Sequence, residues 1–505
     1  MIFETHPAFQ RIEDTLFASA RRSPDKTAIV DGVRKATYHS LASAAVALSH
    51  RLLEQGLQPG DRVSIFLDKS IESALAMFGV WTAGGVAVPI NEGLRSAQVQ
   101  HIVQDSGCRF VISHPRKVSG LEPGTLGDVP VLHLDLTQPA HDSGARASGG
   151  GVTPAVILYT SGSTGRPKGI LISHANLLAG ARIVIRYLGI REDERLLSVL
   201  PFSFDYGLNQ LLTSAQQGAS LYLQKSHFPA DICRALERHE ITAMAAVPTL
   251  WIQLMQRHSP FSQMAFPNLR YITNSGGVFP VDLVAQYRAH LPNLRIHLMY
   301  GLSEAFRSTH LPPEELDRRP GSMGKAIPET EILVIDEHGR ECGPNQVGEL
   351  VHAGPTVALG YWNRAPEVTA AVYRAHPLRP ESPERVVYSG DLVKKDDDGF
   401  LTFVGRRDQQ IKSHGFRISP EEVEEILQAS GIVAEVIVHG VPDEIAGAAI
   451  VAHVVPRMPD TFSREALLEY CQDVMPRYMV PRQIEVHPSL QRTSSGKVDR
   501  AAVRV

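Results

Sequence analysis

Apolar residues along the first 400 positions follow two alternating patterns. Residues 40–55 and 71–82 carry them at helical spacing, whereas residues 62–67, 86–89 and 110–112 are short apolar runs. The first pattern predicts helices and the second predicts buried strands. Because helices and strands alternate along the chain, we expect an α/β fold with mainly parallel sheets in layered subdomains.

The last hundred residues follow a different pattern. Strands are predicted at 435–439 and 448–454, and a helix at 464–475. A further helix is predicted to begin after Ser419, which can act as its N-cap while Glu422 completes a capping box. These elements predict a compact, small α+β domain.

Domain boundaries follow from these patterns. We expect a large N-terminal domain over residues 1–404, ending in a small β region over 388–404. A hinge-like junction at 405–408 would join it to the small C-terminal domain, 409–505. Residues 139–152 are rich in Gly and Ser and predict a flexible surface loop between two subdomains.

Composition narrows the class of protein. A chain of 505 residues is longer than one core usually serves. A net charge of −4 and a pI near 6.6 do not indicate binding to nucleic acid or to an anionic membrane. The cysteines are scattered, without the spacing of a zinc or disulfide framework, which fits the cytoplasm. We expect no signal peptide, and we interpret the apolar residues 74–90 as a helix and a strand, not a membrane span.

Residues 159–169, Tyr-Thr-Ser-Gly-Ser-Thr-Gly-Arg-Pro-Lys-Gly, are the most informative segment. Backbone N–H groups and hydroxyls of such a loop can wrap a polyphosphate, and Arg166 and Lys168 add positive charge. The spacing is not that of a P-loop. A solvated linker is the alternative, but Pro167 and the apolar run before the loop favour phosphate binding.

This segment resembles the phosphate loop of the AMP-forming adenylating enzymes: acyl-CoA synthetases, peptide-synthetase adenylation domains and firefly-type luciferases. The resemblance spans nearly the whole chain. It implies ATP and Mg²⁺ as cofactors, and it implies that the triphosphate is bound by Thr160, Ser161, Gly162, Ser163, Thr164, Gly165 and Lys168.

Three further elements of the large domain resemble the same family. Residues 299–304, Met-Tyr-Gly-Leu-Ser-Glu, resemble its Y-G-x-T-E element, which implies that Tyr300 and Gly301 lie near adenine, Ser303 near the α-phosphate and Glu304 at Mg²⁺. Ser275-Gly-Gly resembles the element where Gly276 and Gly277 let base and acyl group approach the backbone. Residues 360–362, Gly-Tyr-Trp, also match, and we interpret Tyr361 and Trp362 as core residues.

The resemblance continues across the predicted hinge. Asp391, in Tyr-Ser-Gly-Asp, and Arg406 would bind the ribose, a vicinal diol suited to a carboxylate acceptor. It implies that Asp408 is the hinge pivot, Gly415 lines the pantetheine tunnel and Arg417 lies near a phosphate. Lys497, in Thr-Ser-Ser-Gly-Lys, matches the mobile lysine that bridges the acid and the α-phosphate. Rotation about the pivot would exchange Lys497 for Gly415 between two half-reactions.

The acid pocket is less defined. The resemblance implies that it is lined by Phe204, Asp205, Asn209, Ser275 and Arg307. Phe204 stands where many fatty and aryl acid ligases have a histidine, and Asp205 matches the ammonium-binding aspartate of amino-acid-activating domains. A buried carboxylate needs a positive partner, which either a substrate ammonium or Arg307 would supply. The chain also resembles exosortase-associated acyl-CoA ligases and prolyl–carrier-protein ligases, and both remain open.

The sequence therefore predicts an ATP-dependent ligase. It would form an acyl- or aminoacyl-adenylate and pass the acyl group to CoA or to the phosphopantetheine of a separate carrier protein. An amino acid such as proline is one expected substrate, and a fatty or other acid is the alternative. A luciferase-like oxygenase or a non-catalytic nucleotide sensor are further alternatives.

Overall fold

The computed structural model describes residues 9–134, 150–160, 167–407 and 410–490. Most of the predicted loop at 139–152, the interior of the phosphate loop and the predicted hinge pivot lie outside these residues, as does the predicted lysine at 497. The domain boundaries proposed from the sequence therefore stay predictions.

The strands of the described residues are given in chain order. They are β1 Thr27–Asp31, β2 Arg34–Thr37, β3 Arg62–Phe66, β4 Val86–Pro89, β5 Phe110–Ser113, β6 Val131–Leu132, β7 Pro154–Thr160, β8 Lys168–Ser173, β9 Arg195–Ser198, β10 Ser220–Leu223, β11 Ala243–Ala246, β12 Tyr271–Asn274, β13 Arg295–Tyr300, β14 Thr309–Leu311, β15 Ser322–Ala326, β16 Glu331–Ile335, β17 Val347–Ala353, β18 Gly360–Tyr361, β19 Tyr373–Ala375, β20 Arg385–Lys395, β21 Leu401–Arg406, β22 Ile411–Ser413, β23 Phe416–Ile418, β24 Val433–Asp443, β25 Gly447–Pro456 and β26 Gln483–Val486.

The α-helices follow the same numbering. They are α1 Glu13–Arg22, α2 Tyr38–Glu54, α3 Ile71–Thr82, α4 Ser96–Ser106, α5 Pro115–Val118, α6 His174–Leu188, α7 Asp205–Gln217, α8 Pro229–Arg238, α9 Pro248–Met255, α10 Val281–His290, α11 Pro366–Ala370, α12 Pro420–Ala429 and α13 Arg464–Val474.

Two large sheets organise the N-terminal domain. The larger has the order β16-β17-β20-β21-β15-β14-β13-β12-β11-β9-β10-β1-β2. Its pairs from β13 to β1 are parallel, and the pairs from β13 to β16 are antiparallel. The predicted small β region is thus hydrogen-bonded in one continuous sheet with the parallel layer. The α/β fold class predicted from the sequence is confirmed.

The second sheet has the order β18-β8-β7-β4-β3-β5-β6 and is parallel from β7 to β6. Helix α3 is buried except at Glu72 in its first turn, because its apolar residues face neighbours on every side. The predicted helix and strand of residues 74–90 are confirmed as α3 and β4. No described helix has the length and apolarity needed to cross a bilayer.

The small C-terminal domain packs helices α12 and α13 against the sheet β24-β25-β26 and has its own hydrophobic core. Ser419 caps α12 as predicted, accepting from the backbone N–H of Glu422 at 3.4 Å. The predicted capping box is wrong, because the Glu422 carboxylate does not accept from the backbone N–H of Ser419; the Ser419 hydroxyl donates to Glu421 at 2.7 Å. Glu422 turns toward the interdomain cleft, where burial raises the pKa of its carboxyl to about 8.

Candidate active site

A cleft lies where the carboxyl ends of the parallel strands meet the small domain. It encloses about 1130 Å³ of empty space, counting its solvent-open mouth. Crevices at the carboxyl ends of parallel strands are the usual ligand sites of α/β sheets. The cleft collects residues that the sequence singled out separately: Thr160, Phe204, Asp205, Ser275, Gly276, Gly301, Ser303, Arg307, Gly415 and Arg417.

Asp391 is the centre of a polar cluster beside this cleft. It is 3% exposed and lies opposite Arg406 in the β20–β21 register, so the guanidinium reaches its carboxylate directly. The phenol of Tyr300, at the end of β13, donates to the other carboxylate oxygen. Burial and then the Asp391 charge raise the pKa of Tyr300 well above its usual value, which keeps the phenol a donor. A fixed carboxylate beside an aromatic ring suits a nucleoside.

Glu304 is the second buried carboxylate, 8% exposed. The hydroxyl of Tyr361 donates to its Oε1 at 3.0 Å, and Arg417 Nη1 lies 3.4 Å from its Oε2. Lys168 Nζ lies 5.6 Å from the centre of the Tyr361 ring. The Tyr361 ring packs against the core, as interpreted from the sequence, and its hydroxyl in addition contacts Glu304.

Arg417 lies on the small domain and contacts both carboxylates of the large domain. Besides Glu304, it approaches Asp391, with Nη2 at 3.7 Å from Oδ2. Burial lowers the pKa of its guanidinium, but Glu304 and Asp391 raise it more, so the net direction is upward. A permanent cation thus spans both acidic groups across the domain boundary.

Lys412 is a site residue that sequence reasoning missed. Its Nζ lies 5.8 Å from the centre of the Tyr300 ring. Burial lowers the pKa of its ammonium to about 8, although Asp391 opposes the shift. The only signal in the sequence was its position in the segment that carries Gly415 and Arg417.

The residues fit a magnesium–nucleotide complex. Glu304 supplies the hard oxygen ligand that Mg²⁺ prefers beside phosphates, and Lys168, Lys412 and Arg417 supply the positive charge that phosphates need. Burial, together with Arg364, lowers the pKa of Lys168, so an arriving anion would strengthen its protonation.

A second cavity adjoins the cleft behind Tyr300. Its lining includes Gly276, Gly277, Tyr300 and Lys412, beside apolar side chains such as Phe279. Gly276 has a φ of +87°, and a Cβ there would lie 3.2 Å from Val247 and 3.4 Å from the Cα of Gly415. Backbone approach at this point therefore depends on glycine.

The acid pocket contains a buried ion pair. Arg307 Nη1 lies 3.4 Å from Asp205 Oδ2, and the residues are 2% and 4% exposed. Burial raises the pKa of the Asp205 carboxyl, while Arg307 opposes the shift. Phe204 precedes α7 and packs against Phe416 of the small domain, with ring centres 5.8 Å apart.

Asn209 lies apart from the other predicted pocket residues. It follows Asp205 by one turn of α7 and lines an inner cavity behind the cleft, with Tyr206 and Thr273. Its Nδ2 is buried and has no hydrogen-bond partner among the described residues.

Several predicted site residues lie outside the described residues. They are Ser161, Gly162, Ser163, Thr164, Gly165, Asp408 and Lys497.

Comparison with known proteins identifies the family. Residues 16–362 match the AMP-binding enzyme family, and residues 422–497 match the AMP-binding enzyme C-terminal domain. The chain belongs to the AMP-binding enzyme family, the group of adenylating enzymes that the sequence resembled.

Curated relatives include two kinds of protein, a peptide synthase and a CoA ligase. A linear gramicidin synthase of Brevibacillus parabrevis is 30% identical over 99% of this chain, which spans only 6% of that protein's length. Feruloyl-CoA synthase of an Amycolatopsis species is 31% identical, with 96% of each chain covered. The chain thus matches a small part of the much longer synthase and nearly all of a CoA ligase of its own size.

A solved relative gives information about conformation. The o-succinylbenzoate-CoA synthetase of Bacillus subtilis, as a double variant bound to a CoA product analogue, matches with a TM-score of 0.86, 27% identity and coverage of 97% of this chain and 98% of its own. The same enzyme bound to ATP and magnesium ion matches with a TM-score of only 0.72 at the same identity. Because the two sequences are nearly the same, the difference reflects conformation.

Proposed function

We propose that this protein is an ATP-dependent, AMP-forming acid–thiol ligase. The observation that carries the proposal is the convergence of two buried carboxylates, Glu304 and Asp391, on Arg417 of the other domain, which lines the cleft. Isolated buried carboxylates are costly, and a cluster of this charge and depth is typical of a functional site.

The nucleotide-binding roles follow from the geometry. Asp391 would accept hydrogen bonds from the two ribose hydroxyls, with Arg406 holding its carboxylate in place. Tyr300 would present its ring to the base in the cavity that also contains Gly277. Glu304 would hold Mg²⁺, which neutralises charge on the triphosphate.

Two steps would share this site. An oxygen of the acid attacks the α-phosphorus of ATP, the bond to pyrophosphate breaks, and an acyl-adenylate forms. A thiolate then attacks the acyl carbonyl, forming the thioester and releasing AMP. Lys168 and Lys497 would stabilise the negative charge that develops in the first step, as positioned cations do.

The described arrangement supports the second step. Gly415, with a φ of +84°, lies against Val247 and lines the cleft, which supports the role in thiol entry that the resemblance implies. The higher TM-score with the CoA-analogue complex than with the ATP complex supports the same assignment. Adenylation would then need the domain rotation predicted at Asp408.

The ion pair in the acid pocket bears on the substrate. Arg307 already supplies a positive partner for Asp205, so no substrate ammonium is needed there. Nε and Nη2 of Arg307 are buried without partners among the described residues, and they share one edge of the guanidinium. Such an edge binds a carboxylate or carbonyl in two-point fashion. This edge of Arg307 therefore favours a carboxylic acid with a second hydrogen-bond acceptor group over an amino acid as the substrate.

The acceptor is the thiol of CoA or of carrier-bound phosphopantetheine. Coverage of nearly the whole feruloyl-CoA synthase supports CoA, and the match to the gramicidin synthase supports a carrier protein. The four cysteines are free and buried, which fits a reducing compartment, and we propose the cytoplasm.

Acid-dependent pyrophosphate exchange tests the proposal. Purified protein with Mg²⁺ and ATP is screened against fatty, aryl, dicarboxylic and amino acids, and the products are analysed with CoA or a loaded carrier. AMP, pyrophosphate and a thioester are expected. Asp391→Asn should lose the exchange, whereas Asp397→Asn, an exposed aspartate of the following turn, should retain it. Release of ADP, or consumption of oxygen with the acid, would contradict the proposal.

A further inference from the structure

Three histidines and a glutamate lie on one face of the small domain's sheet. His439 is on β24, His453 on β25 and Glu485 on β26, while His487 follows β26 and donates its backbone N–H to Val454. His453 and Glu485 are register partners. Glu485 and His487 are two residues apart, so these side chains leave the sheet on the same side.

Three potential ligand atoms form a small triangle. His453 Nδ1 lies 2.9 Å from His487 Nε2 and 3.1 Å from Glu485 Oε2. The side between Glu485 Oε2 and His487 Nε2 is 3.8 Å. Ligand atoms bound about 2.0–2.1 Å from one tetrahedral Zn²⁺ lie about 3.3 Å from each other. The three separations bracket that value.

The hydrogen-bond network orients a lone pair into this triangle. His439 Nδ1 lies 3.4 Å from the carbonyl of Gly440, which only accepts, so the proton of His439 is assigned to Nδ1. His439 Nε2 then accepts from Nε2–H of His453 at 2.9 Å. In the neutral ring, His453 Nδ1 is then unprotonated, and it faces both the carboxylate of Glu485 and Nε2 of His487. Its lone pair can accept the Nε2–H of His487 or bind a metal ion.

The neutral imidazole is the form that binds metal ions, and it offers this lone pair as the ligand.

We propose that His453, Glu485 and His487 form a metal site of the zinc class on the small domain, with water completing the coordination. Two imidazoles and one carboxylate suit Zn²⁺ and related first-row ions rather than Mg²⁺. His439 is a positioning residue that fixes the tautomer of His453. The His487 and Glu485 side chains are 35% and 41% exposed, so an ion can enter from solvent.

The bound ion would connect β25 to the end of β26. This strand is only four residues long and pairs with β25 alone in the described sheet. Metal binding would therefore stabilise the small domain near the point where the chain continues toward residue 497.

The test uses the full-length protein, stripped with a chelator and free of nucleotide. It is titrated with Zn²⁺ in competition with a chromophoric indicator, and separately with Co²⁺ followed by visible absorption. We expect one Zn²⁺ per chain, protein-dependent Co²⁺ bands, and a higher unfolding temperature with metal. His487→Ala and Glu485→Gln should weaken zinc binding by about tenfold or more and remove the bands.

Two controls separate this site from other zinc binding. His338→Ala removes an exposed histidine elsewhere, and Glu304→Gln removes the predicted magnesium ligand; both should bind zinc like the unsubstituted protein. Circular dichroism of the cluster variants, whose changed side chains are partly exposed, checks that they fold. The proposal is overturned if no stoichiometric zinc binds, or if both cluster variants keep full affinity and the histidines are only a hydrogen-bonded ladder.

Discussion

Arg307 contacts Asp205 through Nη1 at 3.4 Å, and the opposite edge of its guanidinium has no partner among the described residues. The pair is buried beside the cleft that also receives Gly415 and Arg417. One side of the guanidinium therefore neutralises the protein's own carboxylate, and the other side has two buried donors without a hydrogen-bond partner among the described residues.

This arrangement predicts the preference among acids. Acids with a second carboxylate or carbonyl should support pyrophosphate exchange better than proline or other amino acids. Arg307→Lys keeps the charge but removes the two-point edge, so it should reduce that preference by about tenfold, or ~1.4 kcal/mol. The measurement is kcat/KM for a dicarboxylic acid, for a matched monocarboxylic acid and for proline. Arg182→Lys, at an exposed ion pair, is the control.

Substitution of Asp205 tests the competing hypothesis that the substrate is an amino acid. If Asp205 binds a substrate ammonium, amino acids should be the best substrates of the unsubstituted protein, and Asp205→Asn should abolish their activation. If it only pairs with Arg307, Asp205→Asn should leave the order of substrates unchanged. The first result would favour the amino-acid hypothesis over the one preferred here.

Lys497→Ala should separate the two half-reactions. Loss of a cation that stabilises developing charge costs about 100-fold or more, so pyrophosphate exchange should fall by that amount. Thioester formation from a chemically prepared acyl-adenylate should continue at nearly the original rate. Both reactions are measured on the same preparation. Equal loss in both assays would argue against a lysine that serves only adenylation.

Gly415→Ala should have the reverse effect. Residue 415 has a φ of +84°, and a Cβ there would lie 2.7 Å from Val247 Cγ1 in the interdomain contact. The variant should therefore slow thioester formation by about tenfold or more while exchange is less affected. Gly431→Ala is a matched control, because its φ is +69° and no atom lies within 4 Å of the added Cβ. If both variants lose thioester formation equally, backbone strain and not the interdomain contact is responsible.

Local pattern accounts for much of the fold. Helix α3 and strand β4 begin and end at the predicted residues, because their apolar runs are bounded by a capping serine and by glycines. Motif resemblance also selected Asp391 and Arg406, and the structure brings their side chains into contact. In each of these cases the decisive information lies within one short segment.

The missed residues depend on contacts between distant segments. Tyr361 reaches Glu304 because β18 pairs with β8, and no local pattern shows that pairing. Glu422 has the spacing of a capping residue, but its side chain turns to an interdomain cleft that a helix signal cannot reveal. The scattered cysteines gave no reason to expect the zinc-class site proposed above. Its histidines, His453 and His487, are distant in sequence and come together only because β25 pairs with β26.

Acid sensitivity of the large domain should depend on His352. This residue is 0% exposed, with Nδ1 2.9 Å from Ser308 Oγ and Nε2 3.0 Å from Thr356 Oγ1. Burial lowers the pKa of its imidazole to about 3 from an ordinary 6.5. Between these values the unfolded chain binds a proton that the folded chain excludes. Stability is therefore complete above pH 6.5 and is lost as the pH falls toward 3.

His352→Gln should make that loss shallower. A residue of this kind contributes about 1.4 kcal/mol per pH unit well below its ordinary pKa, and glutamine does not titrate while it keeps a donor and an acceptor. The free energy of unfolding, measured with denaturant from about pH 7 to about pH 4.5, should fall less steeply in the variant by about that slope. His338→Gln, at an exposed position, should follow the unsubstituted protein. Parallel pH profiles for all three proteins would mean that His352 is protonated in the folded state, against the burial that the structure gives it.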